Sequence, residues 1–171
     1  MIKVFEMFSG YGGASFSLKK AGINYQTIGH SEIDNIAINC YKQNFPKIKN
    51  FGDCREINPV ELPDFNLLTA GFPCQPFSEA GKHQGIQDTR GTLFHDIIRI
   101  AKHKKPNYMI LENVKGLMFR NHEKTLKIIL NEIDRIGYHI ICKLVNSKKH
   151  GTPQNRERIV FVCIKKTINK K

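Results

Sequence analysis

Apolar residues recur along the chain in short segments, and their spacing changes from one segment to the next. Ile2–Phe8 is an apolar stretch with β-branched members, which is typical of a buried strand. Glycines follow it, and Ala14–Ala21 then shows a helical pattern ahead of Gly22. The first part of the chain therefore predicts a strand, a tight turn and a helix.

Strand-like and helix-like segments continue to alternate after this first unit. Further strands are predicted at Tyr25–Ser31, Asn66–Ala70, Tyr108–Leu111, Tyr138–Val145 and Arg158–Ile164, and further helices at Asn35–Phe45, Thr92–His103 and Glu123–Ile136. This alternation predicts an α/β fold with a mostly parallel sheet and helices on both faces. The polar stretch over residues 72–91 predicts a functional loop, because structureless connections of ~15 or more residues are uncommon in compact domains.

Polar or reactive residues follow several of the predicted strands. They are residues 8–13, Glu32, Asp53, residues 72–74 and Glu112. Ligands of open α/β sheets bind at the carboxyl ends of the strands. We therefore expect these residues to lie along one edge of the sheet and to form a site.

Length and charge limit the classes of protein that fit. The 171 residues suffice for one domain, which buries roughly 70% of the surface of its unfolded form. Lys and Arg outnumber Asp and Glu by 27 to 15, so the formal charge is +12, which suits a polyanion such as nucleic acid. The chain is also rich in Lys, Ile and Asn, as proteins from AT-rich genomes tend to be, and this explains the charge without a ligand.

The cysteines and the apolar segments indicate the compartment. The five cysteines are odd in number and form no CxxC pair and no zinc-ligand spacing, so we expect free thiols and no metal site. No apolar run approaches the ~20 residues of a membrane span, and Glu6 interrupts the apolar N-terminus. These features predict a soluble, cytoplasmic protein without a membrane partner.

The sequence FSGYGG places three glycines where the first strand gives way to a helix. Gly10, Gly12 and Gly13 allow the backbone to bend sharply and to approach a ligand, but their spacing differs from the G-x-G-x-x-G of dinucleotide folds. Glu32, at the end of the second strand, is suited to accept hydrogen bonds from ribose hydroxyls. Asp53 is suited to accept one from an exocyclic amine such as that of adenine. An adenosine cofactor fits this set, whereas a solvent-exposed helix charge is the structural alternative for Glu32.

A cysteine between Pro73 and Gln75, in GFPCQPFS, is the candidate nucleophile. Cys74 follows a strand and opens the long loop, which favours an exposed, reactive thiol over a buried structural one. Glu112, in LENV, follows an apolar strand and is suited to hold or donate a proton. Arg156 and Arg158 alternate and so share one face of a strand, where they suit a phosphate or a carbonyl oxygen; a solvated charged turn is the alternative.

Taken in their order, these motifs resemble those of the DNA cytosine-5 methyltransferases, the bacterial restriction-modification type above all. The resemblance runs from Val4 to about Ile164 and includes FSGYGG, GFPCQPFS, DTRGTLFHDIIRI, LENV and QNRERIVFV. It implies a Rossmann-like class I methyltransferase fold with an antiparallel last strand. It also implies transfer of a methyl group from S-adenosylmethionine to carbon 5 of cytosine in double-stranded DNA, with the target base flipped out of the duplex.

The resemblance assigns roles by matched position. Cys74 would add to carbon 6 of cytosine, Glu112 would engage ring nitrogen 3 and the exocyclic amine, and Arg158, beside Arg156, would contact the carbonyl oxygen. The implied cofactor-binding residues are Phe8, Ser9, Gly10, Gly12, Gly13, Glu32, Ile33, Asp53, Cys54, Pro73 and Leu93. The implied DNA contacts are Gln75, Ser78, Lys82 and Arg90.

The sequence departs from the family pattern in its C-terminal part. Members usually continue into a target-recognition region and a helix that completes the cofactor pocket, whereas this sequence stops at Lys171. We therefore expect residues 1–164 to form an incomplete catalytic and cofactor-binding domain and residues 165–171 a basic tail. The favoured hypothesis is the catalytic subunit of a split enzyme with a complementary chain. The alternatives are a truncated inactive product and a non-catalytic nucleic-acid-binding module.

Overall fold

The computed structural model describes residues 1–73, 93–119 and 122–168 of the chain. The strands in these ranges are β1 (Ile2–Met7), β2 (Tyr25–Ser31), β3 (Leu67–Gly71), β4 (Tyr108–Val114), β5 (Tyr138–Asn146) and β6 (Glu157–Lys165). The α-helices are α1 (Gly13–Lys20), α2 (Asn35–Asn44), α3 (Leu93–Lys104) and α4 (Glu123–Arg135). Short 3-10 helices occupy Pro59–Glu61, Lys115–Met118 and Ser147–His150.

The described strands form one mixed sheet in the order β2-β1-β3-β4-β6-β5. Strands β1 to β4 pair in parallel, whereas β6 runs antiparallel to both of its neighbours, β4 and β5. The mostly parallel sheet and the antiparallel last strand expected from the sequence are therefore confirmed. Because β6 is reversed, its first residues lie at the edge where β1 to β4 end, which we call the carboxyl edge.

Alternating side chains of β1 show that helices cover both faces of the sheet. Phe5 and Met7 join the main apolar core together with residues of α3 and α4, such as Ile97 and Ile133. The intervening Glu6 points to the other face, where it contacts residues of α1 and α2. The two-residue period of the strand thus divides the protein into two buried layers.

Most predicted elements lie within one or two residues of the observed bounds, but β4 is longer than its apolar core. The strand was expected to end at Leu111, yet it continues to Val114, which pairs with Arg158 of β6. Glu112 therefore lies inside a strand, with its neighbour Asn113 buried. Within the described ranges, no helix is both long and apolar enough to cross a membrane.

Candidate active site

The glycine turn after β1 bends through left-handed backbone conformations. Phe8, Gly10 and Gly12 have φ angles of 52°, 54° and 95°. A Cβ atom at Gly12 would lie 2.5 Å from the Phe45 ring, so this position needs glycine for space as well as for φ. At Gly10 a Cβ would meet nothing within 4 Å. The turn starts α1 directly, since Gly12 is the N-cap and Gly13 the first helical residue.

The end of β2 holds this turn in place. The Ser9 amide donates to the Ser31 carbonyl (3.2 Å), and the Ser9 hydroxyl contacts Nδ1 of His30 at 2.8 Å. Burial lowers the pKa of His30 to about 4, so its ring is neutral at physiological pH. The His30 ring stacks on Tyr41 of α2 with 3.8 Å between the ring centroids. The turn is thus fixed by two strands and a helix before any ligand binds.

Glu32 joins the glycine turn to the start of α2. Its Oε2 accepts from the Gly10 amide (2.9 Å), and its Oε1 accepts from the amides of Ile33 (2.9 Å) and Asp34 (3.0 Å). A carboxylate oxygen accepts about two hydrogen bonds, so Oε2 retains one position for a ligand hydroxyl. The Glu32 carboxylate therefore holds the glycine turn to the start of α2 and still has an acceptor position for a ligand.

A cavity of about 240 Å³ opens beside Glu32. Its lining residues are Phe8, Ser31, Glu32, Ile33, Asp53, Cys54, Arg55 and Leu93. Six of these were expected from the sequence, whereas Ser31 and Arg55 were not. The other expected cofactor residues that form no part of this lining are Ser9, Gly10, Gly12 and Gly13, which build the adjacent turn, and the exposed Pro73 at the end of a described range.

Asp53 and Arg55 form an ion pair at the mouth of this cavity. The Arg55 guanidinium donates to both carboxylate oxygens, with a shortest distance of 2.5 Å, and its backbone amide donates to Oδ1 (2.9 Å). These hydrogen bonds lower the pKa of Asp53. The neighbouring Cys54 is buried, which raises the pKa of its thiol to about 12, so it forms an uncharged wall. The Asp53 oxygens already accept four hydrogen bonds from Arg55, so an exocyclic amine would bind to this carboxylate by displacing one of them.

Glu112 lies farther along the carboxyl edge, opposite the two arginines. Its Oε1 is 2.9 Å from Nε of Arg158 and 3.9 Å from Nη2 of Arg156. The Glu112 side chain is 35% exposed and that of Arg158 is 24% exposed. The antiparallel register of β4 and β6 brings these residues together. The pair is thus sheltered but reachable by a ligand.

Asn113 does not orient the Glu112 carboxyl group. It is buried, and its amide nitrogen donates to the Phe72 carbonyl at 3.1 Å, while its Oδ1 accepts from the Val114 amide. It therefore anchors the backbone just before Pro73 to the end of β4. The expected nucleophile Cys74 lies outside the described residues, as do Gln75, Ser78, Lys82 and Arg90.

A buried carboxyl group that sequence reasoning missed lies beneath the glycine turn. Glu6 is 1% exposed, and its Oε1 accepts from the hydroxyls of Ser15 and Tyr41. Its Oε2 is buried without a hydrogen-bond partner. The signal was visible as a single acidic residue within the apolar strand IKVFEM.

Among residues 1–73, 93–119 and 122–168, no group of three His, Cys, Asp or Glu side chains converges closely enough to hold a metal ion.

The sheet order, the glycine turn and the edge site define a Rossmann-like fold of the S-adenosylmethionine-dependent methyltransferase class. More narrowly, the chain belongs to the C-5 cytosine-specific DNA methylase family, whose sequence model matches residues 2–171. The family and the fold expected from the sequence are thereby confirmed.

Individual relatives show the same similarity. The chain is 43% identical over 171 residues to the orphan methyltransferase M.Rho11sI of Bacillus phage rho11s, covering 98% of this chain and 34% of that protein. It is 44% identical over 162 residues to the type II methyltransferase M.NgoBI of Neisseria gonorrhoeae, covering 95% of this chain and 50% of that protein. The S. pombe Dnmt2 methyltransferase structure matches with a TM-score of 0.80 at 25% identity, covering 97% of this chain and 51% of that one. The chain therefore spans only a third to a half of these proteins.

Proposed function

We propose that this chain carries the catalytic and cofactor-binding part of an enzyme that transfers a methyl group from S-adenosylmethionine to carbon 5 of cytosine in DNA. The observation that carries the proposal is the meeting of Glu112 with Arg158 on the same sheet edge as the cavity beside Glu32. A nucleoside-sized cavity and a carboxylate–guanidinium pair together suit one cofactor and one heterocyclic base.

The residues around the cavity fit the adenosine part of the cofactor. Glu32 has one acceptor position left for a ribose hydroxyl, and Asp53 offers an ionised acceptor for the adenine amine. Phe8, Ile33 and Leu93 supply apolar walls. The volume of about 240 Å³ is below the ~300–1,000 Å³ of typical ligand sites, so the cavity accommodates a nucleoside more readily than the whole cofactor. When bound, S-adenosylmethionine supplies an electrophilic methyl group.

The remaining chemistry belongs to side chains of the chain. The Cys74 thiolate forms a bond to carbon 6 of the flipped cytosine, and the electron pair of the 5,6 double bond becomes available at carbon 5. Glu112 binds ring nitrogen 3 and the exocyclic amine, while Arg158 binds the carbonyl oxygen, so the charge that develops on the ring is stabilised. After carbon 5 is methylated, loss of its proton restores the double bond and expels the sulfur of Cys74.

We further propose that polypeptide corresponding to the remainder of the longer relatives supplies target recognition and the rest of the cofactor pocket. A complementary chain is the arrangement we favour. Methylation assays with labelled cofactor test this proposal. They use this chain alone, together with the part of a longer relative that it does not match, or together with the product of the adjacent reading frame. Incorporation of label only in the mixture supports the proposal, and its absence in every mixture argues against it.

The covalent step has a separate test. DNA with 5-fluorocytosine at the target position carries no removable proton at carbon 5, so an adduct through Cys74 should persist under denaturing conditions. The Cys74→Ser variant should form no adduct, whereas the matched Cys40→Ser variant, which changes an exposed cysteine on α2, should form as much as the wild type. An adduct of equal yield in Cys74→Ser would contradict the assigned nucleophile.

A further inference from the structure

The edge of the sheet opposite the candidate active site carries a concentration of basic side chains. This far-edge basic surface comprises Lys102, His103, Lys105, Arg135, Lys165 and Lys166. It consists of two depressions of about 380 and 640 Å³, which share Lys102 and Arg135 and are therefore continuous. Strand β5 begins here and β6 ends here, so the surface is separated from Glu112 by the length of the sheet.

Acidic groups compensate only part of this charge. Five basic side chains and no acidic one line the smaller depression. Arg135 pairs with Glu132 (2.6 Å) and Lys166 with Asp134 (2.7 Å). Across the described ranges, no ion pair within 4.0 Å involves Lys102 or Lys105, and both are exposed. Two lysines thus present uncompensated charge beside a concave surface.

Helix ends explain some of these residues but not all of them. Helices α3 and α4 both end here, and a cation near a helix C-terminus is stabilised by the partial negative charge of the last carbonyl groups. Lys165 donates to the Lys105 carbonyl (3.2 Å) and Lys166 to the Asp134 carbonyl (3.3 Å), so these two stabilise helix ends. Lys105 follows α3 with φ of 50°, a conformation that favours glycine. A lysine there is strained, and among the described residues its ammonium group forms no ion pair with an acidic side chain.

The depression suits phosphate groups better than bases. Flexible lysines bind phosphate as point charges. The aromatic ring in the lining, Tyr138, is buried and donates its hydroxyl to the Pro106 carbonyl (2.6 Å), so it offers no stacking surface. We propose that the far-edge basic surface binds the phosphate backbone of duplex DNA, separately from the candidate active site. The chain then contacts a second DNA segment, whatever its catalytic function.

The test compares two double variants with the same change in charge. Lys102→Glu/Lys105→Glu alters the far-edge surface. The control, Lys42→Glu/Lys47→Glu, alters exposed lysines around the end of α2. The two are matched because Lys42, like Lys102, lies in the last turn of its helix. Binding to a fluorescent duplex of A·T pairs alone is followed by anisotropy over a range of salt concentrations. The far-edge variant should bind about tenfold or more weakly, and its salt slope should fall by about 2, close to 0.9 for each lost phosphate contact. The control should change by less than about threefold.

Two further measurements separate binding from folding. Lys105→Gly should raise the melting temperature, because glycine tolerates the left-handed conformation, and should still weaken DNA binding. The duplex should protect Lys102 and Lys105 from chemical acetylation.

Equal weakening in both double variants, or protection restricted to lysines of the carboxyl edge, would overturn the proposal. So would a far-edge variant that loses binding to anionic vesicles but not to DNA. The duplex of A·T pairs contains no cytosine, which keeps the test independent of methyl transfer.

Discussion

Two acidic side chains of the carboxyl edge, Glu32 and Glu112, are held in different ways. The Glu32 carboxylate accepts from three backbone amides and is fixed by the fold itself. The Glu112 carboxylate contacts the guanidinium groups of two arginines, which are side chains with rotatable stems. The half of the site that we propose for the cofactor is thus organised in advance. In the half that we propose for the base, the charge of Glu112 is neutralised by groups that a ligand is able to displace. The difference predicts that changes in the two halves will affect different measurements.

The largest expected effect is on the rate of methyl transfer by Glu112→Gln. Because the amide cannot carry the charge that pairs with Arg158, we expect the rate to fall by about 10²–10³-fold. Cofactor affinity should stay within about twofold, since the contact is used only in the reaction. Labelled methyl transfer by the reconstituted enzyme and calorimetry with the cofactor measure the two quantities. Glu157→Gln, which changes a half-exposed acid of the same edge, is the control. A parallel loss of cofactor affinity would erase the distinction between the halves.

Gly12→Ala should have the next largest effect, on the stability of the cofactor half. Its Cβ would meet the Phe45 ring at 2.5 Å and its φ is 95°, so we expect a loss of about 2–4 kcal/mol in the free energy of unfolding. Gly10→Ala shares the positive φ but has open space, so it should lose only about 1–2 kcal/mol. Urea denaturation of both variants gives the two losses of stability, and their difference is the contribution of the steric contact at Gly12. Equal losses would mean that the α2 contact does not constrain the turn.

Glu32→Gln should weaken cofactor binding by about 10–100-fold, because hydrogen bonds to a charged group contribute ~1.5–3 kcal/mol. The amide nitrogen of glutamine cannot accept from the backbone amides that now hold the carboxylate. We therefore expect lower stability in the same variant, unlike Glu112→Gln. Calorimetry measures the cofactor affinity and urea denaturation measures the stability, with Glu56→Gln at an exposed position as the control. Weakened binding at unchanged stability would show that Glu32 serves the ligand alone.

The smallest expected effect concerns pH and the buried Glu6 beneath the turn. Burial raises its pKa above 4.5, so the folded state binds this proton more tightly than the unfolded state. That stabilisation is complete below about 4.5 and is lost as pH rises through the raised pKa. Between these limits the wild type should lose stability relative to Glu6→Gln in urea denaturation. Glu61→Gln, on an exposed 3-10 helix, should follow the wild type. A constant difference between wild type and Glu6→Gln across pH would show that folding does not raise the pKa of Glu6.

The sequence allowed the local elements to be predicted, because their patterns lie within a few neighbouring residues. Strand β2 has the predicted bounds, and Gly10 and Gly12 after β1 have the left-handed angles that glycine favours. The extension of β4 to Val114 was not predictable in this way, since it depends on pairing with β6 more than forty residues away. Local periodicity contains no information about such a partner.

The site was predictable in composition but not in its hydrogen bonds. Motif positions indicated Glu32, Asp53 and Glu112 as one edge, and all three lie there. The hydrogen bonds of the Arg55 side chain to Asp53 and of three backbone amides to Glu32 depend on rotamers and turn geometry that residue spacing does not determine. Arg55 stands two residues after Asp53, and that spacing was the available signal.

The reversed direction of β6 also constrains how this domain is joined to another polypeptide. Arg156 lies before the strand and Arg158 near its start, whereas Lys165 ends the nine-residue strand that begins at Glu157. At ~3.4 Å per residue, the strand spans roughly 30 Å. A partner module fused after Lys165 would therefore start on the far side of the sheet, and its tether would need about nine or more extended residues to return to the arginines. Tether length is thus a design variable for reconstitution, and tethers shorter than this span should leave the module unable to reach the candidate site.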